Sequence, residues 1–389
     1  MVIKLSNNKN YFDAGLAFFT FLIMISSYVT ISSAQKYAQY NSNFAMQQLV
    51  WFIVGTIIIA VIFLFDFEQI SKITPYVYGF GIILLIGILI APDSLVPTIN
   101  GARSWYKIGS IGSVQPSEYM KIFLIMMIAY VVQKHYEKIT VSSFQNDILL
   151  ILKIAVVSMI PILLVLMQND FGSSLVMVVI TMGMIFLSGV DWRIILTFAT
   201  GTIAVIAGLV ITFIVNSELL LHLFGEYQLE RIYSWLDPFG HGKDIGFQLK
   251  QSILAMGSGM IEGKGFHSSA VYIPEAHSDF IFAIVGEEYG FLGACFVLSL
   301  YFLMIYRFVG IAMFSKNDMY EFYICIGMAS LFTFHVFQNA GMVSGLLPIT
   351  GIPLLMMSYG GSSVLASMIG IGLVLNISLK KKSSMFSQE

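Results

Sequence analysis

The sequence predicts an all-α fold: a polytopic membrane protein of about ten transmembrane helices, with one long extracytoplasmic loop between helices seven and eight. Three observations carry that prediction. Hydrophobic residues make up 57% of the 389 and charged residues 11%, against roughly 45–50% and 25% in soluble domains, so hydrocarbon is the solvent for most of the chain. The apolar residues fall in runs close to the ~20 residues that cross a bilayer as a helix. Those runs are continuous, whereas a membrane β-barrel needs short alternating strands, and only a helix or a closed barrel pairs its backbone polar groups in lipid.

In chain order the runs lie at about 12–33, 47–65, 73–91, 114–132, 148–167, 171–189, 193–216, 280–308, 320–345 and 348–378. The first is long enough to span and no small-residue cleavage site follows it, so it is expected to stay as helix one. With the N-terminus in the cytoplasm, one side receives Lys4, Lys9, Lys72, Lys134, Lys138, Arg193, Arg307, Lys316 and the lysines at 380–382. Short loops on the other side receive only Lys36, Arg103 and Lys107. The positive-inside bias therefore places both termini in the cytoplasm, and the loop at 92–113 and the long segment 217–279 outside. Residues 1–389 read as a single integral membrane domain. Cys295 and Cys325 fall within helices, as small packing residues. The lysines at 380–382 read as a stop beside anionic lipid headgroups. A net charge of −2 gives no basic excess that would point to nucleic acid.

The first outer loop carries Asn100-Gly101-Ala102-Arg103-Ser104-Trp105, a flexible glycine before a cation and an amphipathic aromatic, which suits a headgroup boundary. Gln115-Pro116-Ser117-Glu118 then opens helix four with proline and an acid, as helix starts prefer. Lys121 sits one turn into the membrane, where an unpaired ammonium is expensive; Glu118, three residues earlier, shares its face and can pair with it. Such a pair below the outer surface can present a cation to an anionic ligand. Lys153, near the cytoplasmic end of its helix, is placed to snorkel, and Asp170 lies at a membrane edge.

Segment 217–279 holds the densest polar chemistry in the chain. Arg231-Ile232-Tyr233-Ser234-Trp235-Leu236-Asp237-Pro238 reads as a short amphipathic helix stopped by proline; Lys243 follows, and then a second short helix at 247–255 that is too polar to span. Gly257-Ser258-Gly259 and Gly263-Lys264-Gly265 have the form of an anion-binding backbone nest with one lysine, or of simple turns. Pro274-Glu275-Ala276-His277-Ser278-Asp279-Phe280 runs straight into helix eight. Ser278 or Asp279 serves as an N-cap there, or Asp279, half out of water beside His277 and Glu275, serves as a general base or metal ligand. Glu287 and Glu288, two turns further in, need a partner or a wet cavity. His335, Gln338 and Asn339, at mid-membrane in helix nine, read as interhelical hydrogen-bonding residues. Cations from separate segments with one carboxylate suit transfer of a sugar off a pyrophosphate.

These stretches, together with Gly286-Glu287-Glu288, Leu347-Pro348-Ile349-Thr350-Gly351-Ile352-Pro353 and Ser358-Tyr359-Gly360-Gly361-Ser362-Ser363, resemble the SEDS proteins (shape, elongation, division and sporulation), to which RodA and FtsW belong. The motifs occur in order from helix one to helix ten. The resemblance implies a ten-helix peptidoglycan glycosyltransferase that polymerises lipid II outside the membrane, partnered by a class B penicillin-binding protein transpeptidase. It carries the family's essential aspartate to Asp279, within His277-Ser278-Asp279-Phe280, and the acid and lysine of helix four to Glu118 and Lys121. Arg103, Trp105, Arg231, Lys264, Glu275, His277 and Glu288 join them as expected substrate-binding residues, and a divalent cation, Mg²⁺ or Mn²⁺, is a cofactor the family suggests. Ser104 stands where many relatives carry a second arginine, and Leu355 and Met356 where they often carry proline and phenylalanine. The rival readings are a lipid II flippase, with its polar site expected at the midplane, and a scaffold for the penicillin-binding protein without an active site.

Overall fold

The structure, a computed structural model, describes residues 12–35, 43–99, 101–109, 112–138, 143–215, 226–240 and 245–386. Asn100, Lys243 and residues 217–225 of the long segment lie outside them. Twelve helices and one small hairpin are present among the described residues: α1 (Ala14–Ala34), α2 (Phe44–Ile62), α3 (Phe67–Ile90), β1 (Tyr106–Ile108), β2 (Gly112–Val114), α4 (Pro116–Lys138), α5 (Phe144–Leu166), α6 (Phe171–Phe186), α7 (Trp192–Val215), α8 (Glu226–Leu236), α9 (Ile245–Gly259), α10 (Ile281–Phe314), α11 (Met319–Val343) and α12 (Gly361–Phe386). Seven of them, α1, α2, α3, α5, α10, α11 and residues 361–379 of α12, are long and apolar enough to cross a membrane. The protein is thus a mostly helical, polytopic membrane protein.

Local sequence sets where the helices begin. Asp13, Asn43, Asp170 and Asp318 each accept a hydrogen bond from the backbone N–H three residues on, at 2.8–3.2 Å, supplying a partner that a helix N-terminus lacks. The Asp66 N–H is answered by the Gln69 side chain at 3.2 Å, which starts α3 six residues ahead of the expected apolar run.

Burial separates an inner from an outer layer. About two-thirds of the apolar window of α11 and 72% of that of α12 are buried, against 22% for α2 and 28% for α3. The inner helices pack on α4, and α2, α3 and α5 turn side chains such as Ile57, Ile83 and Leu163 outward, as helices do whose outer solvent is lipid.

Three features depart from the expected elements. The loop at 92–113 is tied by an antiparallel hairpin that pairs Tyr106 with Val114 and Ile108 with Gly112. The expected tenth span at 348–378 starts only at Gly361: Pro348, Gly351 and Pro353 interrupt the helix, and residues 344–360 form a non-helical segment whose Ile349, Ile352, Leu354, Leu355, Met356 and Met357 are buried. Irregular backbone at such depth is tolerated where protein surrounds it. Finally α10 is broken at Gly290 (φ 62°, ψ −158°), a left-handed conformation that glycine adopts without a Cβ clash. A buried stub, 281–289, therefore precedes the long rod, 291–314.

Candidate active site at the N-terminus of helix 10

Asp279 lies immediately before Phe280, the N-cap of α10, so its carbonyl precedes the helical ladder. That carbonyl accepts a hydrogen bond from Asn339 Nδ2 at 2.8 Å, and the same amide donates to the Ile352 carbonyl at 2.9 Å. Its carboxyl rests against the turn at Gly351: a Cβ added there would stand 3.4 Å from Asp279 Oδ2, and the backbone is left-handed at φ +71°. The acid is thus set by two segments that meet at one side chain of α11. Gln338 and His335 bind the same segment, through the Pro348 carbonyl at 3.2 Å and the Pro353 carbonyl at 2.8 Å. A carbonyl only accepts, so His335 Nδ1 carries the proton in that contact. The polar residues in the last turns of α11 therefore hold the 344–360 segment in place, where the sequence placed them at mid-membrane with bonds to a neighbouring helix.

Charge gathers around the acid. Glu275, Arg231 and Glu118 all lie within electrostatic reach of Asp279. Desolvation, reinforced by Glu275 and Glu118 and opposed by Arg231, pushes the Asp279 carboxyl up from 3.8 to about 7. This is the range in which a carboxylate works as a general base near neutral pH. Beside it His277 is stacked on Phe44, with ring centroids 4.1 Å apart and planes 9° from parallel, and tilted against Tyr359. His277 Nε2 stands 3.7 Å from a Glu275 oxygen. Burial holds the imidazole below its ordinary pKa, and Glu275 partly offsets that. The Tyr359 N–H donates to the His277 carbonyl at 2.9 Å, so the 344–360 segment buttresses His277 as well as Asp279.

Glu118 and Lys121 form the expected pair, 2.8 Å apart and almost wholly buried. Glu118 Oε2 is buried without a hydrogen-bond partner, and Lys121 lies within electrostatic reach of His335. The start of α4 is fixed by Asp170, which accepts from Gln115 Nε2 at 2.9 Å and from the Ser117 hydroxyl at 3.3 Å. Asp170 is thus both the α6 cap and the clasp between α4 and α6.

Other expected residues are placed elsewhere. Lys264 reaches Glu287 at 2.5 Å, and the same carboxylate oxygen accepts from the Ala270 and Val271 amides at 2.8 and 3.1 Å. Glu288 accepts from the Ser33 and Ser269 hydroxyls. These contacts strap residues 260–271 to the broken stub of α10. The glycine-rich stretch is not a free anion nest: the Gly263 N–H is spent on Gly259, and those of Lys264 and Gly265 on the Glu287 and Glu288 carbonyls, at 2.8–3.0 Å. Arg103 turns to the end of α3, bonding the Ala91 carbonyl and pairing with Asp93 at 3.2 Å. Trp105 is half-buried in the same loop. Trp235 Nε1 donates to the Gly345 carbonyl at 2.9 Å, anchoring α8, and with it Arg231, to the end of α11. A cavity of about 540 Å³ between α5 and α7, lined by residues including Phe144, Leu152 and Arg193, lies at the opposite end of the bundle and shares no group with Asp279.

Sequence reasoning missed Asn339 and Gly351 as neighbours of the acid, and Phe44 and Tyr359 as the walls of His277. Asn339 left a trace, an amide amid apolar residues; Phe44 left none.

The sequence profile of the cell cycle proteins FtsW, RodA and SpoVE matches residues 10–383. The chain is 32% identical over 360 residues to a probable peptidoglycan glycosyltransferase FtsW of Trichlorobacter lovleyi, covering 92% of this chain and 89% of the relative. It is 32% identical over 382 residues to stage V sporulation protein E of Bacillus subtilis, covering 96% and 99%. The fold is similar to a chain of a solved structure that describes the structural coordination of polymerization and crosslinking by a peptidoglycan synthase complex. That likeness has a TM-score of 0.77 at 25% identity over 95% of this chain and 98% of the other.

Proposed function

The chain belongs to the FtsW/RodA/SpoVE family of cell cycle proteins, and from that premise we propose that it is a peptidoglycan glycosyltransferase. It polymerises lipid II into glycan strands on the outer face of the bacterial cytoplasmic membrane, for cell-wall elongation or division, and releases undecaprenyl pyrophosphate. Its partner is a class B penicillin-binding protein, a reading supported by the likeness to a synthase complex that couples polymerization to crosslinking. In this reading α1–α7 and α10–α12 make ten crossings, both termini are cytoplasmic, and segment 217–279, with α8 and α9, lies outside.

The single observation that carries the mechanism is the placing of Asp279, half-buried at the head of α10 against the Gly351 turn and within electrostatic reach of Arg231. The 4-hydroxyl of the acceptor sugar attacks the anomeric carbon of the growing chain, Asp279 takes the hydroxyl proton, and the bond to the pyrophosphate breaks with its electron pair leaving on phosphate. Arg231 offsets the charge on the departing group; Arg103, Lys121 and Lys264, engaged by Asp93, Glu118 and Glu287, hold the framework. Among the described residues no group of three or more His, Cys, Asp or Glu is suited to a metal ion. Mg²⁺ usually binds through one or two carboxylates plus substrate phosphates, and the partly exposed Glu275 carboxylate would supply one of them. Such an ion, Mg²⁺ or Mn²⁺, would add charge to stabilise the leaving pyrophosphate.

The test is polymerisation of labelled lipid II by the purified protein with its transpeptidase in detergent. Detergent removes the two sides that a flippase needs, so polymer made there identifies a polymerase. Asp279→Asn is expected to lower the rate ~10²–10⁴-fold without changing the elution of the protein. Full activity in a well-folded Asp279→Asn protein rules out the base assignment.

A further inference from the structure

The backbone of Asp279 is held by a side chain that the reaction does not use. Asn339 is fully buried in α11, where an amide without partners is costly. Both of its N–H groups are spent on main-chain carbonyls, Asp279 at 2.8 Å and Ile352 at 2.9 Å. Because both partners only accept, the amide is oriented with nitrogen toward them. We propose that Asn339 is the positioning residue of the active site: a two-carbonyl clamp that joins the strand entering α10 to the 350–353 turn and so fixes where the Asp279 carboxyl stands. The proposal rests on the reading of Asp279 as the base.

Three features separate this role from ordinary packing. The Asp279 carbonyl precedes the N-cap Phe280, so it needs a partner from outside α10. The two clamped carbonyls belong to segments 73 residues apart in sequence, Asp279 and Ile352; a leucine of similar volume would fill the space between them without joining them. The clamp also brings Gly351 against the carboxyl, with Oδ2 3.4 Å from the position of a Cβ there. Had the turn drifted outward, that wall would be lost and the carboxylate would swing toward water. A displacement of about 1 Å at a reacting group costs on the order of 10²-fold in rate.

The experiment compares wild type, Asn339→Ala, Asp279→Asn and the double variant in lipid II polymerisation across pH 5–9, as full-length protein with its transpeptidase. Asn339→Ala is expected to lower kcat about 10- to 100-fold and leave the KM for lipid II within about twofold. The midpoint of its acid limb should move to lower pH as the carboxyl relaxes toward water. In the Asp279→Asn background the same substitution should change the residual rate less than about twofold. An unchanged kcat, an acid limb that stays in place, or an equal loss in the Asp279→Asn background overturns the clamp. Full activity of Asp279→Asn alone overturns the base and is seen in a separate arm. Should Asn339→Ala not elute as a single species, Asn339→Asp keeps the shape, removes both donors and is held to the same outcomes.

Discussion

The raised pKa of Asp279 makes the pH profile of polymerisation a direct probe of the site. A base must be ionised to accept a proton, so a single group titrating at about 7 leaves about one-tenth of the plateau rate at pH 6 and about nine-tenths at pH 8. The causes of the shift predict how the midpoint moves. Arg231 opposes it, so Arg231→Gln should carry the acid limb upward; Glu275 reinforces it, so Glu275→Gln should carry the limb downward. The assay is initial rate of glycan formation from saturating lipid II in buffers of constant ionic strength. A rate flat from pH 5 to 8, or a downward move in Arg231→Gln, refutes the electrostatic account. Stability has its own sign. A folded pKa above the unfolded value means the native state binds the proton more tightly. The contribution is therefore fully present below the unfolded pKa near ~4 and is lost as pH rises through about 7. Asp279→Asn does not titrate there, so its Tm advantage over wild type should grow from pH 4 to 7 and level off above.

Three further predictions concern the framework. Lys121→Met leaves Glu118 charged and buried, at a cost of about 3–5 kcal/mol; adding Glu118→Gln should recover most of it in thermal melts, and an additive loss would show that the pair does not act as one. Gly263→Ala forces a Cβ onto the Glu288 carbonyl at φ +82° and should destabilise by about 2–4 kcal/mol. Gly79→Ala, whose added methyl meets nothing within 4 Å, should be neutral or stabilising by up to ~1 kcal/mol in the same melts.

Seven membrane-length helices were legible because each is a local statement, a run of apolar residues of bilayer length; the caps at Asp13, Asn43, Asp66 and Asp318, which set where four helices begin, were not read from the sequence. The Glu118–Lys121 pair was legible for the same reason, since a three-residue spacing on a helix is itself a distance. Helix punctuation at Pro348, Gly351 and Pro353 was visible too, but apolar composition alone runs through it, and only the packing shows that the segment is irregular and buried. What composition could not reveal is which surplus charges meet. Lys264 and Arg103 looked available to an anionic ligand until Glu287 and Asp93, 23 and 10 residues away, were found to hold them. The neighbours of Asp279 come from α4, α8, α11 and the 344–360 segment, contacts set by tertiary packing that no local period encodes.

The break at Gly290 has a mechanical consequence. The stub bearing Asp279 at its head is bolted to α1 through Ser33 and to the 260–271 strap through Lys264 and Ser269, while the rod beyond it faces lipid through Phe291, Leu292 and Phe296. A thicker or thinner bilayer tilts spanning rods. Here the start of the rod is bound to the same strap, the Phe291 and Leu292 amides donating to the Met260 and Ile261 carbonyls, and Tyr301 donates to the Leu355 carbonyl, so rod and stub meet such tilting as one braced unit and the acid keeps its place at their head.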